Sequence, residues 1–98
     1  MTLTKQLNGT HLDIALEGRL DTMTAPELEA AIKQEMDSIE SLTLDFTGLE
    51  YISSAGLRVL LSAHRALAGK GGMKVTHLNE IVREVFDVTG FADILKIE

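Results

Sequence analysis

Near the start of the chain lie two strand-like stretches, and in the second of them apolar and polar residues alternate. The first runs from Leu3 to Leu7. In the second, Leu12, Ile14 and Leu16 alternate with Asp13, Ala15 and Glu17. A period of two sends one set of side chains to one face, so the second stretch predicts a strand with one buried face. Asn8-Gly9 lies between them, and this dipeptide predicts a hairpin whose two turn positions take positive φ. The period then lengthens. Thr24-Ala25-Pro26-Glu27 reads as a capping box, with a Thr N-cap, a Glu three residues on and a proline where the missing N–H does no harm. Leu28, Ile32, Met36 and Ile39 follow at helical spacing. Leu42, Leu44 and Phe46 return to a period of two, and Thr47 to Ile52 is a loop or an extension of that strand. Ser53-Ser54-Ala55-Gly56 opens a second helix with Leu57, Leu60, Leu61, His64 and Leu67 on one face and Gly69 at its end. Lys70-Gly71-Gly72 turns the chain into a strand from Met73 to Leu78. Asn79 caps a last helix with Ile81, Val82, Val85 and Phe86 inside and Gly90 at its C-terminal end. Phe91 to Ile97 is a short apolar tail able to add a final strand.

The resulting order is β-β-α-β-α-β-α(-β), an α/β fold in one domain spanning residues 1–98. A hairpin followed by crossovers implies a small mixed sheet of four to five strands, with helices packed on one side and right-handed connections.

Composition narrows the function classes. The chain has no Cys, which excludes disulfides, thiolate metal sites and thiol nucleophiles. Fifteen acidic against nine basic residues give a net charge of -6. Nucleic acid and anionic membranes need a cationic face, so neither is an expected partner. The N-terminus lacks the apolar core of a signal peptide, and no apolar run has the length of a membrane span, so a cytoplasmic protein is expected.

The sequence carries no recognisable catalytic constellation, so a non-enzyme without a cofactor is expected. His11, His64 and His77 fall on different elements and match no metal-ligand spacing. Gly69-Lys70-Gly71-Gly72 follows a helix and precedes a strand, the reverse of a phosphate loop, and reads as a turn. The informative stretch is Asp45 to Leu61, which puts Ser53 and Ser54 at the start of an amphipathic helix. One reading is a capping serine, worth about 1 kcal/mol. The other is a phosphorylation switch, because free N–H groups and the positive dipole end at a helix start accommodate a dianion. One hydroxyl can serve both.

Gly18-Arg19-Leu20-Asp21-Thr22-Met23-Thr24-Ala25 resembles the Gly-x-Leu-Asp-x-x-Thr-Ala segment of STAS domains, which include the bacterial anti-sigma factor antagonists, or anti-anti-sigma factors. Asp45 to Leu57 is similar to that family's strand, loop and phospho-acceptor motif, and Ile81 to Phe91 to its C-terminal part. The resemblance implies partner switching. The unphosphorylated protein binds an anti-sigma factor that is also a Ser kinase of the GHKL type and so frees a sigma factor. Phosphorylation reverses this, and a PP2C-type phosphatase resets it. The acceptor falls on Ser54, with Ser53 as a competing acceptor. Gly56 and Leu57 match the motif, whereas Ser53 stands where the family has Asp and Ala55 replaces a frequent Ser or Thr. Asp21 matches a family Asp and is expected near Ser54, where it would repel a phosphate; a plain turn Asp is the other reading. The implied partner face comprises Asp21, Thr22, Met23, Thr24, Ser53, Ser54, Gly56, Leu57, Arg58, Ser62 and Arg65, with Met23 either an exposed anchor or core. Two alternatives share the fold: a scaffold or adaptor of a non-sigma complex, stressosome-like or transporter-associated, and a nucleotide-binding STAS domain.

Overall fold

The computed structural model describes residues 1–98. Its elements run β1 (Thr2–Asn8), β2 (His11–Leu20), α1 (Ala25–Glu35), β3 (Ser41–Ile52), α2 (Ser54–Leu67), β4 (Gly72–Thr76), α3 (Glu80–Thr89) and β5 (Lys96–Ile97), with short 3-10 turns after α1 and α3. This is the expected order with the final strand present. The strands lie in sequence order across one mixed sheet, β1 antiparallel to β2 and the rest parallel. When each parallel strand is added on the same side of the last, right-handed crossovers put every helix on one face.

Burial follows from that arrangement. Leu12, Ile14 and Leu16 of β2, Leu42, Leu44 and Phe46 of β3, and Met73 and Val75 of β4 are buried beneath the helices. Their alternates, among them His11, Asp13, Ser41, Thr43, Asp45, Lys74 and Thr76, are half-buried on an uncovered polar face. The helices close the core with Ala25, Leu28 and Ile32 from α1, Leu57, Val59, Leu60, Ala63 and Leu67 from α2, and Val82 and Phe86 from α3. Phe86 stacks edge-on against Phe46 at 6.4 Å and against Phe91 at 6.2 Å. Such pairs contribute about 0.5–1.5 kcal/mol each beyond their burial.

Several local expectations are corrected. The hairpin pairs Asn8 with His11, so the two turn residues are Gly9 and Thr10 rather than Asn8 and Gly9. Only Gly9 takes a positive φ, +62°; Asn8 stays in the strand and donates to Asp13 Oδ2 at 3.0 Å. This register sets Leu3 and Leu7 opposite Leu16 and Leu12 on the core face, and a one-residue slip would reverse that. In α2 the buried stripe is shifted: Val59 and Ala63 are inside, whereas Leu61 and His64 are half-buried at its edge. In α3, Val82 and Phe86 take the core, and Ile81, one residue round the helix, is 59% exposed. Strand β4 stops at Thr76, because His77 turns to φ +61°.

The region from Thr47 to Ile52 is strand. It extends β3 alongside β2, with two register shifts, between Ala15 and Glu17 and between Gly18 and Arg19. The last pair is Leu20 with Ile52, so β2 and β3 end side by side. The loop into α1 and the start of α2 therefore leave the sheet as neighbours.

Candidate functional site

The two loops are tied together where they begin, by the Ser53 N–H donating to Leu20 C=O at 2.9 Å. Beyond that bond each is built differently.

The β2–α1 loop is organised by Asp21. Its Oδ1 accepts from the Met23 N–H at 3.0 Å, the Thr24 N–H at 3.1 Å and the Thr24 hydroxyl at 3.1 Å. The Thr24 N–H foremost, then the Thr24 hydroxyl and the Met23 N–H, hold the Asp21 carboxyl below its ordinary range, with desolvation opposing them. Asp21 is thus the turn residue of its own loop, the second of the two readings above. Thr24 occupies the N-cap position of α1, but the capping box does not form. Its hydroxyl accepts from the Asp21 N–H at 2.9 Å, and its one proton is shared between Asp21 Oδ1 and Arg19 C=O, the latter at 2.8 Å. Its backbone is helical, φ -101° and ψ -20°, rather than extended as a capping residue's is. The loop so fixed presents Thr22 and Met23 to solvent, Met23 at 85% exposure, so Met23 is an exposed apolar side chain and not core.

The start of α2 is left unfinished. Ser53 is the N-cap residue by backbone, with φ -102° and ψ 176°, yet its side chain makes no capping bond. Its Oγ is buried with no hydrogen-bond partner. The capping reading of this serine pair therefore fails at both positions, since Ser54 is already the first helical residue. Ser54 is exposed. The first intrahelical bond runs from the Leu57 N–H to Ser53 C=O at 3.0 Å, so the amides of Ser54, Ala55 and Gly56 precede it.

Gly56 and Leu57 are not surface residues. A Cβ at Gly56 would lie 2.7 Å from Leu20 Cγ and 2.9 Å from Ile52 Cγ1, and Leu57 is buried in the core. Their place in the motif is to let the first turn of α2 sit flush on the ends of β2 and β3, which aims Ser54 outward. Further along α2, Arg58, Ser62 and Arg65 are exposed. Thr22, Ala25, Pro26 and Glu29 face Ala55, Arg58 and Val59 across a groove of about 370 Å³ between α1 and α2. Thr22, Met23, Ser54, Arg58, Ser62 and Arg65 thus remain exposed, while Asp21, Thr24, Ser53, Gly56 and Leu57 shape the surface from beneath or within. No local signal in the chain marks the groove; the helical spacing of Ala25, Glu29, Ala55 and Val59 carries it only once the two helices are set side by side.

The histidines lie elsewhere. His11 meets Ser41 Oγ at 2.6 Å, Thr43 Oγ1 at 3.0 Å and Asp13 Oδ1 at 3.2 Å on the uncovered sheet face, and His77 meets Asp45 Oδ1 at 3.1 Å. No group of three or more His, Cys, Asp or Glu is gathered to hold a metal ion, and no helix is long and apolar enough to cross a membrane.

Comparison with known proteins agrees with this architecture. The family described as "Mlab, STAS domain" matches residues 3–96. BtrV of Bordetella bronchiseptica, which bears the name of an anti-sigma factor antagonist, is 36% identical over 99% of this chain and 85% of its own. The anti-sigma-B factor antagonist of Listeria monocytogenes is 31% identical over 96% of this chain and 84% of its own. Among solved structures, an anti-sigma factor antagonist from Mycobacterium paratuberculosis superposes with a TM-score of 0.88 at 26% identity, covering 98% of this chain and 83% of that one. SpoIIAA, solved unphosphorylated, gives 0.85 at 20% identity over 99% and 88%, and in its phosphorylated form 0.77 at 19% over 99% and 91%. The chain belongs to the STAS-domain family of anti-sigma factor antagonists.

Proposed function

We propose that this chain is a phosphorylation-switched partner protein. Unphosphorylated, it binds an anti-sigma factor that is also a Ser kinase of the GHKL type, and so frees a sigma factor in the cytoplasm. Phosphorylation of Ser54 ends that binding, and a PP2C-type phosphatase restores it. The observation that carries the reading is the state of Ser54: exposed, ahead of the first intrahelical bond of α2, beside a loop that presents Met23. A phosphate there adds about -1.5 to -2 charges to the surface without burying any of them, so the fold tolerates it while a docked protein does not. Ser53 is the weaker acceptor, because its oxygen is buried. Incubation with the cognate kinase and ATP should add one phosphate, located at Ser54 by mass spectrometry. Ser54→Ala should keep partner binding and Ser54→Asp should weaken it. Absence of phosphate from both Ser53 and Ser54 would remove the covalent switch.

A second reading, an adaptor of a non-sigma complex, draws on the "Mlab" description of the matching family and on Ser53 standing where the acceptor motif has Asp. Copurification separates the two. A GHKL-type ATPase on the purified chain supports partner switching, and a membrane ATPase complex supports the adaptor.

A further inference from the structure

Arg58 follows Ser54 by four residues on α2, and both are exposed. Residues four apart on a helix are neighbours on one face, and the Cα–Cβ bonds of a helix tilt toward its N-terminus. The Arg58 side chain, which lines the groove toward α1, is therefore able to swing back over the turn that starts at Ser54. The rise between the two is about 6 Å, well within the reach of an arginine, whereas Arg65 lies about 16 Å further along from Ser54.

Arg58 has no anion of its own. The lysine ion pairs join Lys5 to Glu35, Lys33 to Glu29, and Lys74 and Lys96 to Glu98, while Arg19 stacks on Tyr51. Arg58 makes no ion pair, and α2 contains no acidic residue. Glu29, the carboxylate in the same groove, sits 3.6 Å from the Lys33 ammonium of its own helix. An exposed, unpaired guanidinium one turn after a serine is set up for a phosphate: acid before base at this spacing is the favourable order, and the guanidinium fork matches phosphate oxygens two at a time.

We infer that a phosphate on Ser54 is captured by Arg58, so that phosphorylation both adds an anion and withdraws the free cation from the docking face. This rests on the Ser54 switch proposed above and states how it acts. In the unmodified protein Arg58 is available to a carboxylate of the partner; in the modified one that carboxylate loses its cation and meets a dianion in its place.

The test needs no partner. The chain is produced with phosphoserine encoded at position 54, and the second ionisation of the phosphate is followed by 31P NMR in the otherwise native protein and in the Arg58→Gln and Arg65→Gln variants. The start of α2 acts on the phosphate equally in all three, so the difference isolates each arginine. The phosphate should ionise at lower pH in the native background than in Arg58→Gln by about 0.3 unit, with Arg65→Gln unchanged. Equal ionisation in the native and Arg58→Gln proteins, or equal effects of the two arginines, overturns the capture. Because the phosphate is installed during synthesis, this result is independent of whether any kinase modifies Ser54, which is where the underlying switch stands or falls.

Discussion

Two helices of this protein start in nearly the same way and end up chemically different. Both α2 and α3 follow a strand end, and both have an extended polar residue at the N-cap, Ser53 and Asn79. Asn79 completes its helix. Its Oδ1 accepts from the Val82 N–H at 2.8 Å, and its amide donates to Leu49 C=O at 3.0 Å. Ser53 does neither: its oxygen is buried and has no hydrogen-bond partner. The finished helix start belongs to structure and has no free group to modify. The unfinished one leaves an exposed hydroxyl at its next residue. Helix-start residues of similar propensity thus serve stability in one case and, on the reading proposed here, regulation in the other.

That contrast can be tested at four points. The largest effect is expected at Gly56, on which the seating of α2 depends. Gly56→Ala puts a Cβ against Leu20 and Ile52 and should destabilise the fold by about 1–3 kcal/mol, even after the better helix propensity of alanine, as read by urea midpoints. Next is Asn79→Ala, which removes a working cap and should cost about 1 kcal/mol in the same measurement. Ser53→Ala should cost less than about 0.5 kcal/mol or stabilise slightly, since it deletes a buried hydroxyl that has no partner. A loss at Ser53 equal to that at Asn79 would erase the distinction between the two helix starts. The smallest effect concerns the neighbouring loop. The folded-state pKa of Asp21 is depressed, so its contribution is present above the ordinary value of 3.8 and is lost as pH falls through the lower folded one. The protection of the Met23 and Thr24 amides, taken relative to their intrinsic exchange rate at each pH, should fall over that acidic interval and stay level above it, and Asp21→Asn should flatten the dependence.

Most of the fold is legible in the chain. The alternation of Leu12, Ile14 and Leu16 and of Leu42, Leu44 and Phe46 marks strands with one covered face, and that is how they lie. Gly90 ends α3 in the left-handed conformation, with φ +81°, and Asn79 caps that helix as expected. The hairpin is misread by one residue because Asn-Gly signals a turn without saying which two residues occupy its centre; the match of Leu3 and Leu7 to Leu16 and Leu12 settles that. Ile81 and His64 fit an apolar stripe on paper, but a helix against a sheet buries a narrower arc than its pattern offers. Of the candidate site, Ser54 and Arg58 are identifiable in advance as outward residues, whereas the exposure of Met23 is decided only by the fold, and Gly56 and Leu57 match the motif for a reason that only their burial reveals.

Local pattern sufficed for the order of the main elements and the position of Ser54, because periodicity and the punctuation of Gly, Pro and Asn act over a few residues, whereas the strand at Thr47–Ile52 and the final strand needed their sheet neighbours. The orientation of each hydroxyl lay beyond it. Whether Thr24 and Ser53 cap their helices depends on where Asp21, Leu20 and Ile52 stand once β2 and β3 end side by side. A side chain's hydrogen bonds are chosen by neighbours distant in the chain, and those neighbours exist only after the sheet has brought the two loops together.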